Sequence, residues 1–293
     1  MKTRRSIEGA VVVVTGGARG IGETTAQLFS EKGATVWIGD VDAELAAVTA
    51  QEIARARSAS LDVTDPASWK TFLHTVAEEC GPVDILVNNA GVMPLGAFVD
   101  ETEATADLII DVNVNGVLNG MKAVLPSMSR RGCGHIVNVA SMAGMIPIPG
   151  MVTYNASKFA VLGASLAARR EYSGTGVSVS AVLPSAVRTE LASGAALGAG
   201  MPTVDPEVVA AAILATVRTR AARRSVPRWV APGWALADAL VPETIHNLAR
   251  RAIDDRRALT SIDTAGRRGY LDRIERQTRT HVAATTGKTQ GDR

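Results

Sequence analysis

The sequence predicts an α/β fold, a doubly wound parallel sheet in a single domain with a helical C-terminal extension. Three observations lead there. Short apolar runs alternate with longer amphipathic stretches along most of the chain. The first run, Val11-Val-Val-Val-Thr15, has no polar face, which suits a strand buried on both sides of a parallel sheet. A glycine-rich turn, Gly16-Gly-Ala-Arg-Gly-Ile-Gly22, follows that run and opens the next amphipathic stretch.

In order, the strand Val11–Thr15 leads through this turn into a helix over Ile21–Lys32. A second strand, Thr35–Gly39, ends beside Asp40, and Asp42 is placed to cap a helix over Ala43–Arg55. The third strand, Ser58–Leu61, ends at Asp62-Val63. Asp65 then caps a helix over Pro66–Glu79, with proline at its first position. Ile85–Asn88 is the fourth strand, terminated by Asn89-Ala90-Gly91. A long helix is expected over Thr102–Met128. Asn113 lies inside it, although asparagine is a mediocre helix former. His135–Val139 forms the fifth strand and puts Ser141 at the carboxyl edge of the sheet; a helix over Tyr154–Tyr172 and a strand over Ser178–Leu183 complete the alternation.

Beyond Leu191 the character changes. Ser193–Gly200 is rich in glycine and alanine and reads as a mobile lid, and a helix follows near Pro206–Thr219. The catalytic domain is expected over 1–228 and the extension over 229–293. The extension mixes Trp229, Trp234 and Leu236 with paired arginines, turns polar from Ala258, and is expected to be disordered from Gly287 to Arg293. Nine arginines between Arg250 and Arg279 are interleaved with five acids, the pattern of a solvated helix face.

Tyr154 and Lys158 carry the chemistry. Four residues apart on a helix, they share one face. An ammonium beside a phenol is expected to lower the phenol's pKa, so that it exchanges a proton with a carbonyl or alcohol oxygen near neutral pH. Ser141, thirteen residues before the tyrosine, offers a hydroxyl to hold that oxygen. Gly16, Gly20 and Gly22 allow a tight turn and let a pyrophosphate approach a helix N-terminus.

These motifs together resemble the short-chain dehydrogenase/reductase family. The resemblance runs from about Ser6 to Leu191, through Thr15–Gly22, Asp62-Val63, Asn88–Gly91, Asn113, Ser141, Tyr154/Lys158 and Pro184–Thr189. It implies a Rossmann-like domain and nicotinamide-dependent interconversion of an alcohol and a carbonyl. Tyr154 would be general acid or base, Lys158 would tune it and bind the nicotinamide ribose, and Ser141 would polarise the oxygen. Asn113, preferred to Asn115 on the resemblance, would hold a water on Lys158. The dinucleotide would meet Gly16, Arg19, Gly20, Ile21 and Gly22 at the turn. Asp62, Val63, Asn89, Ala90 and Gly91 would follow, with Val187 and Thr189 at the nicotinamide. Ser185 replaces the glycine usual after Pro184 and brings a second hydroxyl to this segment, with a strained turn if its φ is positive.

Asp40, at the end of the second strand, is placed to accept both adenosine ribose hydroxyls and to repel a 2′-phosphate. Arg19 favours NADP, but from farther away, so NAD is expected and NADP disfavoured. The lining candidates near the catalytic residues, Met93, Met142, Met145, Ile146, Ile148 and Met151, are apolar, and Arg188 is the one cation among these loops. A bulky apolar alcohol or ketone is therefore the expected substrate. Small residues along Ala160, Gly163, Ala164, Ala167 and Ala168 suggest a homodimer or homotetramer. The alternative is a non-catalytic nucleotide sensor that kept the fold, which loss of a catalytic position would favour; all four positions are filled.

Composition narrows the rest. Hydrophobic residues make up 46% of 293, enough for a full core. A net charge of +2 gives no reason to expect a nucleic-acid partner. Cys80 and Cys133 are expected as thiols in a reducing compartment, and the histidines lack metal-ligand spacing. Met1–Ala10 lacks an apolar signal core, and no uncharged run of membrane-spanning length occurs, so a cytoplasmic enzyme without a transmembrane segment is expected.

Overall fold

The computed structural model describes residues 6–195, 202–242, 244–245 and 256–291, with side chains to residue 284 except at 257. The strands are β1 (Val11–Thr15), β2 (Thr35–Asp40), β3 (Ala56–Ser60), β4 (Ile85–Asn88), β5 (Gly134–Val139), β6 (Val177–Pro184), β7 (Ala186–Val187), β8 (Thr203–Val204) and β9 (Arg223–Val226). Seven form one parallel sheet in the order β3-β2-β1-β4-β5-β6-β9, and β7 pairs separately with β8. The sheet is covered on both faces. Val12 and Val14 enter a core with Ala26 and Phe29 of α1 (Gly20–Glu31), whereas Val11 and Val13 enter a second core with Trp69 and Phe72 of α3 (Pro66–Cys80). Alternate side chains of β1 thus bury on opposite faces, which is why that run has no polar side.

The other helices are α2 (Ala43–Glu52), α4 (Glu103–Ile110), α5 (Gly116–Arg130), α6 (Val152–Glu171), α7 (Pro206–Thr219), α8 (Val230–Leu240), α9 (Arg257–Thr260) and α10 (Thr264–Gly291). Asp42 and Asp65 cap α2 and α3 through backbone amides, as expected. The helix expected over Thr102–Met128 is interrupted: Asp111–Asn115 forms a π-helical turn between α4 and α5. Glu103–Arg130 as a whole is long and apolar enough to cross a membrane, but half of its apolar window is buried within the fold.

The C-terminal part differs from the sequence reading in two places. Strand β9 has the polar sequence Arg-Arg-Ser-Val, so no apolar run announces it; it completes the sheet by pairing with β6. The polar stretch beyond Ala258, read as ending in disorder from Gly287, is helical as α10 through Gly291. Tyr270 and Ile274 of α10 pack with Val92 and with Leu108 and Ile109 of α4. The Ser193–Gly200 loop read as a lid lies outside the described residues from 196 on.

His135 ties β5 to its neighbours. Its Nδ1 lies 2.6 Å from the Ser178 hydroxyl on β6 and its Nε2 3.0 Å from that of Thr216 on α7. Burial, helped by the charges of Arg220 and Arg169, lowers its pKa to about 3. The unfolded chain takes up this proton near pH 6.5, and the folded chain refuses it until about pH 3. His135 should therefore withdraw stability as pH falls through that window, by at most about 1.4 kcal/mol per pH unit. In urea unfolding between pH 6.5 and 4, His135→Gln is expected to show a shallower loss than the parent. Parallel pH slopes would rule this source out.

Candidate active site

The sheet order reverses between β1 and β4, and a crevice opens beyond their carboxyl ends. The two strand ends are locked together. The Thr15 hydroxyl accepts from the amides of Asn89 and Ala90 at 3.0 and 3.1 Å, and Asn89 Nδ2 donates to the carbonyls of Thr15 and Gly16. Gly16 has φ of +61°, and a Cβ there would fall 2.7 Å from Ala90 Cα. At Gly22 a Cβ would meet the Gly16 carbonyl oxygen at 2.2 Å, so this tight turn excludes any side chain. No side chain caps α1 at Arg19. Its first amides therefore face the crevice as donors for an anion.

A cavity of about 840 Å³ runs along these strand ends. Gly16, Arg19, Gly20, Ile21, Asp40, Asp62, Val63, Asn89, Ala90 and Gly91 line one part of it, and Val187 and Thr189 line it near the catalytic residues. Asp40 accepts from the amides of Ala18 and Asp42 at 3.1 Å each, which fixes its carboxylate at the end of β2. Arg19 is turned to carboxylates, pairing with Asp42 and, at 3.4 Å, with Glu190. Asp62 accepts from the amide and hydroxyl of Thr64 at 2.9 and 2.7 Å.

Ser141, Tyr154 and Lys158 meet at the other end. Ser141 Oγ accepts from the Ala143 amide at 3.1 Å and hydrogen-bonds the Tyr154 phenol. Lys158 donates to the Val139 carbonyl at 3.2 Å, and its Nζ lies 5.6 Å from the centre of the Tyr154 ring. Asn113, fully buried in the π-turn, accepts from the Val92 amide at 2.8 Å and donates to the Val92 carbonyl and the Ser157 hydroxyl. Asn115 is exposed and bonds Asp111. A Cβ at Gly91 would come within 3.2 Å of Asn113 Oδ1 and 3.6 Å of Lys158 Nζ, so the three are adjacent.

The expected effect of Lys158 on the phenol is not the dominant one. Burial pushes the Tyr154 phenol up, against the lowering hydrogen bond from Ser141, and the charge of Tyr270 adds to the rise. Burial also lowers Lys158 to about 8, which weakens it as a permanent cation. Low dielectric disfavours both charged forms together.

Among the expected lining residues, Met93, Met151, Ile146 and Ile148 reach the cavity. Met142 does not; it is fully buried in the core beneath the sheet, and Met145 packs against the same cluster. Both follow Ser141 in a 3₁₀ turn that points them inward. Arg188 is exposed and pairs with Asp205 at 2.6 Å. Ser185 is free of the strain its substitution for glycine suggested, since its φ is not positive. Its buried hydroxyl borders the cavity without a partner among the described residues.

The family model for short chain dehydrogenases matches residues 10–197. The chain belongs to this family. A short-chain dehydrogenase of this kind is an oxidoreductase, and the family implies a nicotinamide cofactor and a small-molecule substrate. The chain is 37% identical over 190 residues to oxidoreductase UcpA of Escherichia coli K12, covering 64% of this chain and 72% of that one. It is 36% identical over 184 residues to a 3-alpha-(or 20-beta)-hydroxysteroid dehydrogenase of Mycobacterium tuberculosis, covering 62% and 71%. A short-chain type dehydrogenase/reductase from Mycobacterium marinum superposes with a TM-score of 0.68 at 29% identity, over 73% of this chain and 89% of that structure.

In this dehydrogenase several residues at or beside the cavity escaped the sequence reading, Tyr270, Arg267 and Arg273 from beyond the matched region and Glu190 from within it. Tyr270 Oη accepts from the Met93 amide at 2.6 Å. Arg267 is buried and donates to the carbonyls of Leu191, Ser193 and Met93. Glu190 joins Arg19 to Arg273; burial works to raise its carboxyl, but hydrogen bonds and charge from the two arginines hold it low. The signal in the sequence was small: Tyr270 and Ile274, four apart, are among the few large apolar positions of a mostly polar helix.

Proposed function

We propose that this short-chain dehydrogenase interconverts a bulky apolar alcohol and its carbonyl, with NAD(H) as cofactor and Tyr154 as general acid and base. The observation that carries this reading is the convergence of Ser141, Tyr154 and Lys158 on one cavity beside the uncapped start of α1. The presence of Asn113, Ser141, Tyr154 and Lys158 around the cavity supports this reading over a non-catalytic nucleotide sensor.

A bound nicotinamide supplies or accepts the hydride. Ser141 holds the substrate oxygen next to the Tyr154 phenol. In the reducing direction Tyr154 donates its proton to that oxygen, and its burial keeps it protonated until the oxygen takes up charge. Lys158 then stabilises the phenolate, and Asn113 holds the Val92 backbone and the hydroxyl of Ser157, the residue before Lys158.

Asp40 supports NAD over NADP, because its fixed carboxylate repels a phosphate where it would accept ribose hydroxyls. Arg19 supports the same choice, since Asp42 and Glu190 already engage its guanidinium. The substrate half of the cavity supports an apolar ligand. Met93, Ile148, Met151, Leu191 and Trp234 line it, and Arg188 points elsewhere. The hydroxysteroid activity in the name of one relative agrees in kind. Self-association through α6 follows from its exposed face of Val152, Ala156, Phe159, Ala160, Gly163 and Ala167. A homodimer or homotetramer is expected by light scattering at micromolar concentration, and a monomer would contradict it.

Turnover with NAD should be higher for a cyclic secondary alcohol of steroid size than for a short charged hydroxy acid. Tyr154→Phe should reduce that turnover by roughly 10²–10⁴-fold while NADH still binds. A variant that keeps a tenth of the parent rate would remove Tyr154 from proton transfer.

For cofactor choice, kcat/KM should favour NAD over NADP by at least about tenfold, or about 1.4 kcal/mol. Asp40→Ala should narrow the ratio. Equal use of the two cofactors by the parent enzyme would sink the assignment.

A further inference from the structure

The match to the family ends at residue 197, but the cleft continues onto α10, which forms its outer wall. Tyr270, Arg273, Gln277, His281 and Ala284 line the cavity at helical spacing, as one face of this helix. From Tyr270 to Ala284 that face is about 21 Å long at 1.5 Å per residue. It is pinned at the catalytic end and lies against the π-turn at the other. Tyr270 and Arg267 hold the backbone of Met93 and Leu191 beside the catalytic residues. His281 Nε2 lies 2.9 Å from Asp111 in the π-turn, next to the Asp62 end of the crevice. Between them Arg273 pairs with Glu190, which also pairs with Arg19 in the glycine turn.

Arg276 differs from these neighbours. It lines the same cavity, and its guanidinium has no hydrogen bond or ion pair among the described residues. Arg19 and Arg273 share the carboxylate of Glu190, and Arg19 also pairs with Asp42; Arg276 therefore leaves one cation of this group uncompensated. In the same cavity, the amides that open α1 lack a side-chain cap, and Arg276 follows Arg273 by one helical turn, where Glu190 joins Arg273 to Arg19 of the glycine turn. Two donor sets in one cavity, one of them an unpaired guanidinium, suit a ligand segment that carries two negative charges. A dinucleotide has such a segment in its diphosphate.

We propose that α10 is a wall of the dinucleotide site, and that Arg276 binds the cofactor diphosphate together with the glycine turn. The proposal rests on the dinucleotide reading above. It makes the C-terminal helix a clamp that encloses the cofactor and slows its release.

The test uses the full chain and compares the parent with Arg276→Gln and Arg276→Lys, with NADH, NADPH, ADP-ribose and adenosine as probes. Calorimetry should give about tenfold weaker NADH and ADP-ribose binding for Arg276→Gln, with partial recovery for Arg276→Lys and no change for adenosine. Stopped-flow fluorescence should show faster NADH release from Arg276→Gln. Hydrogen exchange across 264–284 should slow when NADH is added to the parent. Unchanged ADP-ribose affinity, or no protection of the helix, would overturn the clamp while leaving a tyrosine-dependent dehydrogenase intact. Equal weakening of adenosine would mean a general collapse of the cleft and would overturn the diphosphate assignment, as would a loss confined to NADPH. A parent that binds neither NADH nor ADP-ribose would defeat the dinucleotide reading itself.

Discussion

The close approach of the backbone turns after β1 and β4 governs the rest of the molecule. Gly16 lies against Ala90, and the side chains of Thr15 and Asn89 bond across to the opposite backbone. With no room for a Cβ at Gly16 or Gly22, β1 turns at once into α1, and the uncapped start of that helix faces the crevice. The same junction sets Gly91 beside Asn113 and Lys158, and the catalytic cluster inherits its position from it. A strand end elsewhere in the sheet would not do this, because only where the order reverses do neighbouring connections leave on opposite faces.

The catalytic pair sits where solvation and charge oppose each other. Tyr154 and Lys158 are buried, and burial drives each toward its neutral form. Sequence spacing places an ammonium near a phenol, but how far it tunes the phenol depends on the dielectric around both. The Ser141 hydrogen bond offsets part of the burial cost. Asn113 acts through geometry: its amide clasps Val92 and Ser157, and the π-turn directs that amide inward while Asn115 faces solvent.

The C-terminal helix joins the two halves of the crevice. Its hydrogen bonds from Tyr270 and Arg267 go to backbone carbonyls and an amide at Met93, Leu191 and Ser193. Backbone groups hold an appended helix whatever side chains the loops carry. Glu190 has an equivalent place among charges, since one carboxylate links the glycine turn to the extension.

Local chemistry was enough for much of this protein. The all-apolar β1, the glycine turn, the caps Asp42 and Asp65, and the positions of Ser141, Tyr154 and Lys158 were legible, because each depends on residues near it in the chain. Strand β9 was not legible, since its polar residues become a strand only by pairing with β6. The inward turn of Met142 was equally hidden, as was the docking of Tyr270 and Arg267 against segments more than 70 residues away. The sequence by itself determined the fold class, the glycine turn after β1 and the candidate set Ser141, Tyr154 and Lys158. Only the tertiary structure decided which side chains wall the cleft and that the C-terminal helix lines it, because those facts depend on long-range packing and on backbone hydrogen bonds that leave no local pattern.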